Sequence, residues 1–177
     1  MPTDPHAFLL CGPSLAGKST ACEHIAATLG AAIISADAIN AKRGLPFGAE
    51  GLPESVWAET LRQLLLQLHE HARAARSVVI DDTLCYRWLR DRVRNEAMAA
   101  DLRPVLLVLA PSRQTLLSRY AQLAESGQRQ VLSMPRFVQH LESFEWPTPD
   151  EAAVDISTAD QRDAWLRSQG AGSPART

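Results

Sequence analysis

One eight-residue stretch near the N-terminus constrains this chain more than any other feature. Residues 12–19 read Gly-Pro-Ser-Leu-Ala-Gly-Lys-Ser. Gly12, Gly17, Lys18 and Ser19 match the four fixed positions of the pattern G-x-x-x-x-G-K-[ST]. An apolar run over residues 7–11 precedes the stretch, and a helix-forming run over residues 19–26 follows it. A strand, a glycine-rich loop and a helix in this order predict a phosphate-binding loop (P-loop).

Such a loop binds the phosphates of a nucleotide. Its backbone N–H groups and the positive end of the following helix surround the phosphates. Lys18 is expected to reach the β- and γ-phosphates, and the Ser19 hydroxyl to ligate magnesium. Gly12 and Gly17 allow a backbone conformation and a close approach that a Cβ would block. The predicted nucleotide-binding residues are Gly12, Pro13, Ser14, Leu15, Ala16, Gly17, Lys18, Ser19 and Thr20.

Length and composition indicate one soluble domain. The chain has 177 residues, of which 46% are hydrophobic and 21% are charged. We expect a single domain over residues 1–168 and a disordered tail over residues 169–177. Apolar runs are strand-sized, so a membrane span is not expected, and three scattered cysteines suggest a cytoplasmic protein with reduced thiols. The net charge of −2 does not favour a nucleic-acid binder.

Strand and helix patterns alternate along the chain, which predicts an α/β fold with a parallel sheet. Five short apolar runs are predicted strands: residues 7–11, 32–35, 77–81, 104–109 and 153–156. Helical periodicity is clearest over residues 54–68 and continues in residues 87–100, 113–125 and 135–144. Residues 43–53 and 126–130 are rich in Gly, Pro or polar side chains and are predicted loops.

Acidic residues follow the second and third predicted strands, at the edge where α/β sheets bind ligands. Asp81 suits a metal-binding role, directly or through water, and Asp82 can face the substrate. Asp37 could orient an acceptor hydroxyl and take its proton. The alternative is structural: one acid of the Asp81–Asp82 pair, or Asp37, could cap the helix that follows it.

Other P-loop classes fit less well. The chain has no Asn-Lys-x-Asp guanine motif and no Asp-x-x-Gly switch, which argues against a GTPase. It is also too short for the extra subdomains of transporter ATPases. A small kinase is the class that remains.

The P-loop, the acid after the second strand and the Asp-x-Thr after the third resemble the compact P-loop kinases. These include polynucleotide 5′-hydroxyl kinases, zeta toxins and uncharacterised predicted kinases, and the resemblance covers residues 7–157. It implies ATP and Mg²⁺ as cofactors, a helical lid over residues 119–136 and, with right-handed crossovers, strand order 2-3-1-4-5. Asp37 matches the family's catalytic base and Asp82 its second active-site aspartate. Arg119 matches its first lid arginine, with Arg129 or Arg136 as the second phosphate contact.

Two departures concern the acceptor. The phosphate-binding arginine of the polynucleotide kinases is Asn40 here, and their Asn after Asp-Thr is Leu84. Tyr86 and Arg87 instead resemble a short stretch of the seryl-tRNA(Sec) kinases, which are similar to a tRNA-modification ATPase.

Three functions therefore remain open. The first is a kinase of a hydroxyl-bearing small molecule, whose pocket would use Trp57 and residues 43–53. The second is a 5′-hydroxyl polynucleotide or RNA kinase, in which five arginines could track a phosphate backbone: Arg73, Arg76, Arg87, Arg90 and Arg94. The alternative for the last three is a charged, solvated face of one helix. The third is a nucleotide-switched binding module, which would not need a base at Asp37. The protein could be a monomer or a homodimer.

Overall fold

The computed structural model describes residues 4–49, 52–128 and 130–171 and shows a parallel sheet between two layers of helices. Its strands are β1 (His6–Cys11), β2 (Ala32–Ser35), β3 (Val78–Asp81), β4 (Arg103–Val108) and β5 (Val154–Asp155). All four pairings are parallel, and the strand order is β2-β3-β1-β4-β5. The predicted order 2-3-1-4-5 is therefore confirmed, with the P-loop strand at the centre.

Seven α-helices lie in the described residues. They are α1 (Lys18–Leu29), α2 (Ala36–Lys42), α3 (Glu54–Arg73), α4 (Arg87–Ala99), α5 (Arg113–Ser126), α6 (Met134–Glu142) and α7 (Ala159–Ala171). Helix α7 extends three residues into the segment predicted to be a disordered tail, and residues 172–177 lie outside the described part. None of the helices described is both long enough and apolar enough to cross a membrane.

Side chains of the central strand alternate between two cores, because successive residues of a strand face opposite sides of a sheet. Ala7, Leu9 and Cys11 pack with α2, α3 and α4 on one side. Phe8 and Leu10 pack with α1, α5, α6 and α7 on the other. Both faces of the sheet are covered, which explains why its strands are continuous apolar runs. The carboxyl ends of the strands remain as the edge where loops can build a site.

Candidate active site

The P-loop lies between β1 and α1, and its two glycines are required by its geometry. A Cβ on Gly12 would lie 2.6 Å from the backbone oxygen of Leu109, so a side chain cannot be accommodated without a backbone shift. The Gly12 N–H donates to the Thr83 carbonyl at 3.1 Å, which ties the loop to the end of β3. Gly17 has a φ of 100° and caps α1. The loop therefore has a backbone that depends on glycine at both positions.

Lys18 lies at the start of α1, half-buried among acidic residues. Its ammonium donates to the Pro13 carbonyl at 2.9 Å. Burial lowers the pKa of Lys18, while the carboxylates of Asp81, Asp82 and Asp37, in that order, oppose the shift. Three acids that follow two different strands thus act on one ammonium group. The structure brings together the lysine and the three carboxylates that the sequence singled out.

Asp81 ends β3 and hydrogen-bonds the side chain of Ser19. Burial raises the pKa of Asp81, and nearby Lys18 and the Ser19 bond partly offset the rise. A hydroxyl and a carboxylate fit Mg²⁺, which binds through one or two protein oxygens, phosphate oxygens and waters. Across the described residues, no cluster of three or more His, Cys, Asp or Glu is placed to hold a metal by itself. A metal carried by the nucleotide fits this donor set better than a dedicated protein site.

Asp82 stabilises the turn after β3. One of its carboxylate oxygens accepts hydrogen bonds from the Thr83 hydroxyl and the Leu84 N–H, each at 3.2 Å. Leu84 has a φ of 44° and is fully buried. Helix α4 begins later, with Tyr86 as its N-cap residue. Asp82 therefore does not cap this helix, and its carboxylate stays beside Lys18.

Asp37 lies in the first turn of α2 and is exposed. The helix cap is Ser35, whose side chain accepts a hydrogen bond from the Ala38 N–H at 3.3 Å. The capping alternative for Asp37 is therefore wrong. Of the three acids that act on Lys18, Asp37 is the exposed one, whereas Asp81 and Asp82 are partly buried.

The predicted lid corresponds to the end of α5, the connection after Gly127 and the start of α6. Arg119 is exposed and donates to the Leu15 carbonyl of the P-loop at 2.9 Å. Arg136 donates to Gln139 on its own helix at 3.0 Å. Arg129 lies outside the described residues. Contact of these arginines with a phosphate remains a prediction.

His140 on α6 is a site residue that the sequence analysis missed. Its Nε2 accepts a hydrogen bond from the Ser14 N–H of the P-loop at 3.2 Å. Burial, together with the charges of Lys18 and Arg136, lowers the pKa of His140 to about 4. A single histidine on a helix, with no ligand-like spacing to other residues, offers no sequence signal for this contact.

Three of the arginines proposed to track a nucleic-acid backbone have partners within the protein: Arg87, Arg90 and Arg94. Arg90 is 1% exposed and donates to both carboxylate oxygens of Glu151, at 2.6 and 2.9 Å. Arg87 forms ion pairs with Asp91 and Asp150, and Arg94 donates to the Glu151 carbonyl. Arg90 thus joins α4 to the segment before β5. The hypothesis that these arginines form a phosphate-binding face is wrong for Arg90.

Two aromatic side chains of the predicted acceptor pocket, which comprises residues 43–53 and Trp57, are partly exposed. Phe47 is 38% exposed and Trp57 is 37% exposed. A Cβ on Gly48 would collide with the Leu132 side chain, so this segment touches the connection between α5 and α6. The first predicted loop and the predicted lid therefore meet at Gly48 and Leu132.

A separate open groove of about 770 Å³ runs between α3 and α4. Its lining includes Leu61, Leu66, His69 and Trp88, and none of the predicted site residues. Groove and P-loop cluster are thus lined by different residues.

Comparisons with known proteins agree with this fold. The AAA domain family matches residues 8–147. A gluconokinase from Sinorhizobium meliloti 1021 shares 22% identity, with 94% of each chain covered and a TM-score of 0.64. Mycobacterium tuberculosis APS kinase CysC, in complex with AMPPNP and APS, shares 16% identity over 96% of this chain and 98% of that chain, with a TM-score of 0.65. Kti12 from Chaetomium thermophilum, in complex with ADP-AlF3, shares 12% identity over 93% and 97%, with a TM-score of 0.72.

These structural similarities establish the fold. No curated protein sequence matches the chain. The family match covers most of the chain and includes the P-loop, the three acids and Arg119. The protein therefore belongs to the AAA domain family and has the fold of the small P-loop kinases.

Proposed function

We propose that this protein is an ATP-dependent kinase that transfers the γ-phosphate to a hydroxyl group of a small molecule. The observation that carries the proposal is the cluster of Asp37, Asp81 and Asp82 around Lys18 at the end of the P-loop. A nucleotide-binding module needs the lysine and a metal-binding acid. Asp37, the exposed one of the three acids, supplies the base that an acceptor hydroxyl requires.

The nucleotide side of the site uses the P-loop. Its N–H groups surround the phosphates, and the Lys18 ammonium exchanges the Pro13 carbonyl for phosphate oxygens. Ser19 and Asp81 would hold Mg²⁺, which neutralises charge on the β- and γ-phosphates. Arg119, which already lies on the P-loop backbone, would add positive charge as the phosphoryl group moves.

The acceptor side of the site uses Asp37. The acceptor oxygen forms a bond to the γ-phosphorus while the bond from that phosphorus to the β–γ bridging oxygen breaks. The bridging oxygen leaves with the electron pair as part of ADP, and Asp37 takes the hydroxyl proton. A carboxylate is a sufficient base because this transition state is loose and the main contribution is positioning.

The surface around the site favours a small acceptor over a nucleic acid. Asn40, which replaces the phosphate-binding arginine of polynucleotide kinases, is 3% exposed and accepts a hydrogen bond from Thr60 at 2.6 Å. Arg90 is buried against Glu151, and Arg87 is paired with two acids. Two of the basic side chains of that helix face, Arg87 and Arg90, are thus engaged within the protein. The gluconokinase and APS kinase similarities support the same class of acceptor.

Transfer of labelled γ-phosphate from ATP to a panel of acceptors tests the proposal. The panel contains sugars, sugar acids, nucleosides, aminoglycosides, 5′-hydroxyl oligonucleotides and tRNA. We expect a labelled small-molecule product. A labelled oligonucleotide or tRNA would instead support the nucleic-acid kinase, and ATP hydrolysis that no acceptor changes would support the nucleotide-switched module.

Two variants separate the nucleotide side from the acceptor side. Lys18→Met should lower transfer by about a hundredfold or more, because a charge on the transferring group is lost. Asp37→Asn should lower transfer by about a hundredfold with ATP affinity near wild type. Lys42→Met, at the only other lysine, and Glu70→Gln on α3 are controls that should leave both properties unchanged. Equal loss of nucleotide binding in Asp37→Asn would move Asp37 to the metal site.

A further inference from the structure

One histidine joins α6 to the backbone of the P-loop. The Ser14 N–H donates to Nε2 of His140 at 3.2 Å, across 126 residues of sequence. A ring nitrogen that accepts a hydrogen bond carries no proton, so the imidazole is neutral with its proton on Nδ1. His140 lies in α6 and packs its ring against the edge of Phe144, with ring centroids 5.8 Å apart.

A second side chain binds the neighbouring residue of the loop. Arg119 of α5 donates to the Leu15 carbonyl at 2.9 Å. Leu15 has a φ of 68°, a left-handed conformation that costs energy for a residue with a branched side chain. His140 and Arg119 therefore hold the two ends of the Ser14–Leu15 dipeptide. Contacts of this kind are what a strained loop conformation needs in order to persist.

We propose that His140 is a positioning residue, which fixes the Ser14–Leu15 part of the P-loop in the conformation that receives phosphates and seats α6 beside Lys18. The inference rests on the proposed function of the loop as the ATP site. It assigns His140 an effect on nucleotide binding that acts through the loop backbone.

The surroundings of His140 argue for an acceptor role over a proton-transfer role. Lys18 and Arg136 both disfavour a positive charge on its ring, and burial does so as well. The ring therefore stays neutral at physiological pH and keeps the lone pair that the Ser14 N–H needs. A general acid would have to be protonated in the same range.

A pair of substitutions tests the acceptor. In His140→Gln the side-chain oxygen can accept the Ser14 N–H, whereas His140→Leu fills similar space without an acceptor. We expect His140→Leu to raise the Kd of both ADP and ATP by about three- to tenfold, the equivalent of one lost hydrogen bond. His140→Gln should stay within about twofold of wild type. Thermal unfolding of both variants shows whether each still folds, because neither keeps the ring contact with Phe144.

Hydrogen exchange of the Ser14 amide, measured by NMR on the protein alone, provides a second readout. Protection should be lost in His140→Leu and retained in His140→Gln. Equal nucleotide affinities of the two variants, or equal Ser14 protection, would overturn the inference. If His140→Leu lowered kcat while the nucleotide Kd stayed at the wild-type value, a role through the loop would also be excluded.

The outcomes for this inference and for the proposed function are distinct. Suppose that the wild-type protein binds nucleotide but phosphorylates no acceptor, and that His140→Leu binds nucleotide more weakly than His140→Gln. This result would support the positioning role of His140 and contradict the kinase function. A phosphorylated acceptor with no difference between the variants would do the reverse. A wild-type protein that binds neither ADP nor ATP would contradict both.

Discussion

Replacement of Arg90 by methionine should strongly destabilise the protein. The Arg90 guanidinium donates four hydrogen bonds, two to the Glu151 carboxylate, one to the Leu84 carbonyl at 2.9 Å and one to the Glu145 carbonyl at 2.8 Å. Arg90 is 1% exposed, and the Glu151 side chain is fully buried. Burial alone would raise the pKa of Glu151, yet the bonds from Arg90 keep it below its usual value. Methionine would leave the buried Glu151 carboxylate with only the distant, partly exposed Arg87 guanidinium, 3.8 Å away, as a counter-ion.

The expected loss follows from that geometry. Breaking a buried ion pair by removal of one partner costs about 3–5 kcal/mol in the free energy of unfolding. In Arg90→Met/Glu151→Leu no buried charge remains, so most of this loss should be recovered. The Glu145 carbonyl still lacks a donor and the Leu84 carbonyl keeps only the weak Cys11 thiol at 3.6 Å, which leaves a residual cost of about 1–3 kcal/mol. Arg90 holds the Leu84 carbonyl, and the Leu84 N–H donates to Asp82 at the site. Loss of Arg90 should therefore disturb the position of Asp82, and phosphoryl transfer should fall in both variants.

Urea unfolding followed by circular dichroism measures these differences, provided that the dependence on urea stays constant among variants. Arg92→Met is the matched control on α4. Arg92 is 58% exposed and pairs with Glu96 at 2.8 Å, so its loss should cost under about 1 kcal/mol. A loss below about 1 kcal/mol for Arg90→Met would refute the reasoning. A double variant as unstable as the sum of the two single variants would refute it equally.

Three further predictions concern the P-loop and its contacts. Gly12→Ala places a Cβ 2.6 Å from a backbone oxygen, so we expect about 1–3 kcal/mol of destabilisation and loss of nucleotide binding by calorimetry; wild-type binding would contradict the close approach. Arg119→Ala should lower kcat for transfer more than it weakens ATP binding, and equal effects would argue against a transition-state role. The pKa of His140 is about 4 in the folded protein against 6.5 for an ordinary histidine, so between these values the unfolded chain binds a proton that the folded chain does not. The free energy of unfolding should therefore fall by up to about 3 kcal/mol as the pH drops from 7 to 4, and His140→Gln should remove that part of the urea-measured slope; an unchanged slope would show that His140 titrates normally.

Local patterns in the sequence determined the strands and the centre of the site, while the strand order followed from the family resemblance and right-handed crossovers. Each predicted strand agrees with the observed strand to within one residue at either end, because continuous apolar runs bounded by turns are a local signal. The glycines and Lys18 were found for the same reason, since the P-loop is contiguous. Asp37, Asp81 and Asp82 followed from the rule that parallel strands present their carboxyl ends at one edge.

Tertiary contacts decided the roles of side chains whose partners are distant in sequence. The spacing of Arg87, Arg90 and Arg94 indicates one charged helix face. Arg90 is nevertheless buried, because it pairs with Glu151, which lies 61 residues further along the chain. His140 meets Ser14 across 126 residues, and neither residue carries a pattern that predicts the other. A helical repeat reports only which side chains share a face. Whether that face meets solvent, an opposite charge or a backbone donor depends on the packing of the whole chain.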